Sequence, residues 1–179
     1  ARIPFISIRS AERSRVLELL SEVSVELQAP IYVHTLSQGT RELGSNRTVN
    51  DDRSVTGAVD FASQQFPQRQ NLSVVLTEVS DIEDDTPAAR HLLDVVMLAA
   101  ENSGCVVVIT TKPVFGQLQR AGMSLVLSAP SEDEMLAIVQ ENLAAYRGHI
   151  PIEWDAADER RAAAALDSLT PGPVQPAGR

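Results

Sequence analysis

Lysine is nearly missing from this chain: its 179 residues include one, Lys112, against fourteen arginines. Glycine is missing where a ligand-binding turn would need it. Ile3 to Ile8 reads as a buried opening strand and Ala11 to Gln28 as a helix, yet Arg9-Ser10 joins them, and the first glycine is Gly39. A phosphate-binding loop converges successive N–H groups on the phosphates through glycines and reaches the terminal phosphates with a lysine. Neither residue type stands at this turn, which excludes such a loop there. The single Cys105 excludes an internal disulfide and, at the start of an apolar run, reads as a small buried hydrophobe.

No stretch approaches the about 18 consecutive apolar residues of a membrane span. The N-terminus lacks the charged-then-apolar order of a secretory signal, so a cytoplasmic location is expected. Basic runs are also missing. With a net charge of −9 and a pI near 4.8, a nucleic-acid groove or an anionic-membrane patch is not expected, and protein partners are.

What is present is a regular alternation of short apolar strands and longer helices. After the first strand, Val16, Leu19, Leu20, Val23 and Leu27 recur at helical spacing, with Ser10 as the expected N-cap and Pro30 as the stop. Ile31 to Thr35 makes the second strand, and Ser37 to Arg53, polar and glycine-bearing, reads as a long exposed loop. Ser54 caps a helix that Pro67 ends, and Leu72 to Leu76 is the third strand. An acidic loop leads to a helix from Pro87 to about Ser103, closed by Gly104. Cys105 to Ile109 is the fourth strand, Phe115 to Arg120 a short helix, and Leu125 to Leu127 the fifth strand. Ser131 and Glu134 are spaced as a capping box for a helix to about Tyr146, and an alanine-rich helix covers about Ala156 to Leu169.

Continuous apolar strands separated by helices predict a parallel sheet covered on both faces, an α/β three-layer sandwich of five strands. The expected division is an α/β domain over 1–149, a helical segment over 150–170 and a Pro/Gly-rich tail over 171–179. Ala1 directly before a strand and the tail ending at Arg179 suggest a piece of a larger protein.

From the fourth strand onward the sequence resembles the AAA+ ATPase family. Val106-Val-Val-Ile-Thr-Thr-Lys-Pro113 is similar to that family's sensor-one strand, with Thr111 where asparagine is usual. Phe115 to Pro130 resembles the stretch carrying the arginine finger, which places Arg120 in that region, and Pro130 to Leu143 resembles the helix leading to the lid. The resemblance implies the P-loop NTPase strand order 5-1-4-3-2 and the start of a helical lid. It also implies an aspartate for magnesium and a glutamate for water activation at the end of strand three. The chain has Thr77 and Glu78 there, and a threonine hydroxyl is a poor substitute for a metal-holding carboxylate. Among AAA+ proteins it looks most like the degenerate N-terminal ATPase-like domain of bacterial and plastid proteins related to a conserved chloroplast open reading frame.

The resemblance thus implies a non-catalytic domain serving regulation, assembly or partner binding, with ATP and magnesium not expected to bind it. Its partner would be a protein or an adjacent AAA+ domain, with a homo-oligomer formed through the full-length protein, which itself can be an ATPase.

A second reading takes the acidic edge after strand three, Glu78, Asp81, Glu83, Asp84 and Asp85, as a metal or small-molecule site of an α/β binding domain or enzyme. A solvated loop favouring the next helix N-terminus explains the same residues. Lys112-Pro113 is similar to the pair in two-component receivers, but it follows strand four, and strand one ends in Arg9. His34, His91 and His149 lack metal-ligand spacing, and no residue is assigned a catalytic role.

Overall fold

The computed structural model describes residues 3–128, 130–147, 149, 151 and 153–169, the side chains of 167–169 excepted. The chain forms two compact units, Ala1–Leu127 and Ser128–Arg179. The expected tail over 171–179 lies outside the described residues.

The first unit is built as β1 (Phe5–Arg9), α1 (Arg13–Leu27), β2 (Ile31–Thr35), β3 (Gly39–Glu42), β4 (Thr48–Asn50), α2 (Val55–Gln65), β5 (Ser73–Leu76), α3 (Pro87–Glu101), β6 (Cys105–Thr110), α4 (Gly116–Arg120) and β7 (Met123–Val126). The strands form one sheet in the order β4-β3-β2-β5-β6-β1-β7. Its five parallel strands, β7-β1-β6-β5-β2, stand in the order anticipated from the sequence.

The sheet is nevertheless seven-stranded and mixed, which corrects the five-stranded parallel expectation. The segment read as a long loop adds β3 antiparallel to β2, and β4 antiparallel to β3. Periodicity could not find these strands because backbone pairing with the free edge of β2 holds them, and their side chains are mostly polar. Gly39 starts β3 with φ +72°, and an added Cβ there would lie 2.5 Å from the Asn50 carbonyl oxygen, so the turn requires glycine.

Helix starts follow local chemistry. Ser54 accepts from the Gly57 N–H at 3.0 Å and Thr86 from the Ala89 N–H at 3.1 Å, each as an N-cap. Ser10 does not cap α1. Its hydroxyl accepts from the Glu12 N–H at 3.0 Å, and the helix begins only at Arg13.

Helices lie on both faces of the sheet. One face is sealed by α2, α3 and α4 over Phe5, Tyr32, Phe66, Leu76 and Leu92. On the other, α1 buries Val16 against Ile31, Val33, Val75, Val107 and Ile109, with Leu17 and Leu20 partly covered. The rest of the anticipated α1 stripe is exposed: Leu19, Val23 and Leu27 face solvent. β7 is exposed along its whole length.

In the second unit, α5 (Glu132–Arg147) and α6 (Ala156–Leu169) pack through Met135, Val139 and Ala163. α5 belongs to this second unit, which begins at Ser128. The capping box forms as expected: the Ser131 N–H donates to Glu134 at 2.7 Å and the Glu134 N–H to Ser131 at 3.3 Å. Glu159 is buried and held by Arg147 and by Gln140 at 3.0 Å.

Candidate functional site

Parallel α/β sheets gather ligands at the carboxyl ends of their strands, where loops from adjacent elements meet. Here those ends frame an open cleft of about 940 Å³ between the β1–α1 connection, the β5 end and the β6 end. Ser10, Arg13, Thr77, Glu78, Thr110 and Thr111 are among its lining residues.

The cleft is crossed by one carboxylate. Glu78 Oε1 pairs with the guanidinium of Arg13 from the first turn of α1, while Oε2 accepts the Leu36 N–H at 2.8 Å. The Leu36 N–H, followed by Arg13, holds the Glu78 carboxyl below its ordinary range despite partial desolvation. Each carboxylate oxygen thus accepts one hydrogen bond from the protein, and the residue still lines the cleft.

The Thr77 hydroxyl is engaged as well. Its backbone N–H and its hydroxyl both donate to the His34 carbonyl oxygen, at 3.4 and 3.0 Å, and the residue is buried. The hydroxyl continues the β5–β2 pairing one residue beyond the strand. Thr110 forms a local turn with Lys112: its hydroxyl donates to the Lys112 carbonyl oxygen and accepts the Lys112 N–H, each at 3.1 Å. Thr111 lines the cleft and is exposed.

The acidic edge does not act as one group. Glu83 lines the cleft, where its own backbone N–H and then Lys112, 3.4 Å away, hold its carboxyl below the usual range. Asp81, Asp84 and Asp85 do not line it. Asp85 is gripped by both ends of the Arg90 guanidinium, at 2.7 and 3.0 Å. Asp81 has φ +61° and offers its carbonyl oxygen to Thr86. Among the described residues, no group of three or more His, Cys, Asp or Glu could hold a metal ion. Asp85 and Glu83 thus bond different cations, Arg90 and Lys112.

Arg120 ends α4 exposed, away from the cleft lining, with no ion pair among the described residues. The histidines are dispersed. His91 pairs with Asp60 at 3.4 Å, and His149 is exposed. His34 is only 1% exposed, with Nδ1 3.2 Å from the Thr40 hydroxyl and Nε2 lacking a hydrogen-bond partner among the described residues. Burial pushes its pKa down, against the raising fields of Asp52 and Glu78.

Sequence reasoning located Glu78 but missed its partners. Arg13 was visible as a basic residue near the start of the helix that follows β1. Leu36 was not, because its contribution is a backbone N–H set by the β2–β3 turn.

The layered sheet and its carboxyl-edge cleft define an AAA+-type α/β domain. The TRIP13-containing structure from E. coli MS115-1, a HORMA:CdnC:Trip13 complex, superposes with TM-score 0.55 at 11% identity. That match covers 91% of this chain, which spans 59% of the other. AMPPCP-bound DnaA from Aquifex aeolicus matches with TM-score 0.47 at 8% identity, covering 94% of this chain and 56% of that one. No curated protein sequence gives a significant match. Residues 1–127 match the family described as the SpoVK-like AAA ATPase, N-terminal domain, and the chain belongs to that family. The matched span coincides with the first compact unit.

Proposed function

We propose that this domain is a non-catalytic member of the AAA+ fold that serves regulation, assembly or partner binding within a larger ATPase. The observation that carries the reading is the missing donor set at the strand ends: Arg9-Ser10 has no glycine or lysine, Thr77 stands where a metal-holding carboxylate is needed and its hydroxyl bonds the His34 carbonyl oxygen, and Glu78 bonds Arg13 and the Leu36 N–H. The donor set that a magnesium–triphosphate requires does not fit. Residues 9–12 contain no glycine or lysine, and Thr77 offers no carboxylate to the cation.

Protein partners fit this reading. The TRIP13 protein of the superposed structure stands in a complex with HORMA and CdnC proteins. Arg120, exposed at the end of α4, is available to an adjoining domain in the manner of an arginine finger. Within the AAA+ proteins, the reading takes the chain as similar to the degenerate N-terminal ATPase-like domain of the bacterial and plastid proteins related to a conserved chloroplast open reading frame. No helix among the described residues is long and apolar enough to cross a membrane.

Isothermal titration of the 179-residue chain with ATP and magnesium tests the proposal. No saturable heat is expected. Micromolar ATP binding would overturn it.

A further inference from the structure

The apolar stripe of α1 that buries Val16 at its start is left open toward the C-terminal half of the helix. Leu19, Val23 and Leu27 recur every four residues and are 45%, 41% and 62% exposed. Glu18, Glu22 and Glu26 each precede one of them and are exposed too. One residue along a helix is a turn of about 100°, so the apolar and acidic residues form two neighbouring stripes. No Lys or Arg occurs from Val16 to Thr40, and Glu18, Glu22 and Glu26 form no ion pair among the described residues.

This arrangement is unfavourable for an isolated helix. Like charges four residues apart repel each other. Glu26 sits in the last turn, at the negative end of the helix dipole, and that turn contains no basic residue. Exposed apolar side chains add a solvation cost that one covering surface would remove together with the charge repulsion.

Resting on the reading that the domain works through contacts, we infer that this face of α1 docks a basic amphipathic helix of a protein partner. Apolar side chains of the partner, spaced three and four residues apart, would cover Leu19, Val23 and Leu27, and flanking arginines or lysines would meet Glu18, Glu22 and Glu26. Charge complementarity selects this occupant. A second copy would bring three glutamates of like charge against these three, and the whole chain carries a net charge of −9.

The test uses a synthetic helical peptide of about 18 residues, with leucines on one stripe and arginines beside it, titrated into the full chain by fluorescence anisotropy. Micromolar binding that weakens with salt is expected. Val23→Asp, and separately the triple substitution Glu18→Gln, Glu22→Gln and Glu26→Gln, should each weaken it by at least about tenfold while leaving the melting temperature near wild type. These are surface positions, so folding can be checked independently of binding. Several outcomes overturn the site: absence of binding, equal binding by a scrambled peptide of the same composition, variants that bind like wild type, or sedimentation showing a dimer that Val23→Asp dissociates. Peptide failure with ATP binding still absent sinks only the α1 site, whereas ATP binding at the cleft sinks the non-catalytic reading itself.

Discussion

On one face of the sheet Phe5, Tyr32, Phe66, Leu76 and Leu92 are sealed beneath α2, α3 and α4, whereas on the other α1 buries Val16 and leaves Leu19, Val23 and Leu27 open. Both faces began from similar sequence patterns, apolar residues at helical spacing over apolar strands. The difference separates positions that the fold buries from positions that it leaves in solvent. Substitutions on the sealed face should act on stability, and those on the outer half of α1 on binding.

The sharpest blow to the sealed face is Phe66→Ala. Phe66 is fully buried and also packs on Gly104, where an added Cβ would lie 2.5 Å from the Phe66 ring. Loss of the ring should cost about 3–5 kcal/mol, read from the urea midpoint at unchanged slope. A loss below about 1 kcal/mol would mean that this face is not a packed core.

A smaller loss is expected from Thr40→Val, next to the same core. Thr40 is wholly buried and its hydroxyl bonds His34 Nδ1. The nearly isosteric valine leaves a second buried nitrogen of His34 unpaired, for about 1–3 kcal/mol. His34 also sets a pH dependence. Its folded pKa lies below the ordinary 6.5, so the unfolded chain binds the proton more readily. Stability is complete above 6.5 and falls as the pH drops through 6.5 toward the lowered folded value. Glu78 adds a second limb of the same sign: its folded pKa is below 4.5, and its contribution is lost as the pH falls below 4.5. Urea midpoints between neutral and acid pH should fall in both limbs, and His34→Gln should remove the upper one.

The cleft should respond least to loss of its ion pair. Arg13 and Glu78 side chains are 47% and 35% exposed, so solvent screens their attraction. A double-mutant cycle with Arg13→Met and Glu78→Gln should give a coupling of about 0–1 kcal/mol. A larger value would make the bridge a principal clamp of the strand ends. For the acidic edge, a thermal-shift screen with divalent ions and nucleotides should find no stabilising ligand that Glu78→Ala abolishes.

These contrasts follow how far the sequence could be read. The parallel strands and α2, α3, α5 and α6 were legible because burial imposes their period and because Ser54, Pro87 and Ser131 mark their starts. β3 and β4 were not, since Gly39-Thr-Arg-Glu42 joins the sheet through its backbone. At the cleft, the loss of the phosphate loop was visible in Arg9-Ser10, and Glu78 stood out at a strand end. The bond between Arg13 and Glu78, across 65 positions of the chain, was not. Nor could the helical period of α1 tell covered positions from uncovered ones, because Val16 and Leu27 carry the same pattern.

That last ambiguity gives the finest test, a pair of substitutions on one stripe. Val16 is 1% exposed and Leu27 62%. Val16→Ala should cost about 2 kcal/mol through lost burial and an unfilled space. Leu27→Gln keeps a similar helix propensity and already faces water, so its effect should stay within about 0.5 kcal/mol. Both are read from urea midpoints of the full chain. If Leu27→Gln cost as much as Val16→Ala, the outer half of α1 would be part of the chain's own core, and the distinction between a sealed and an open face would fail. If Leu27 is silent for stability, this exposed leucine has no role in holding the fold, and the open half of α1 stays available to the docking test.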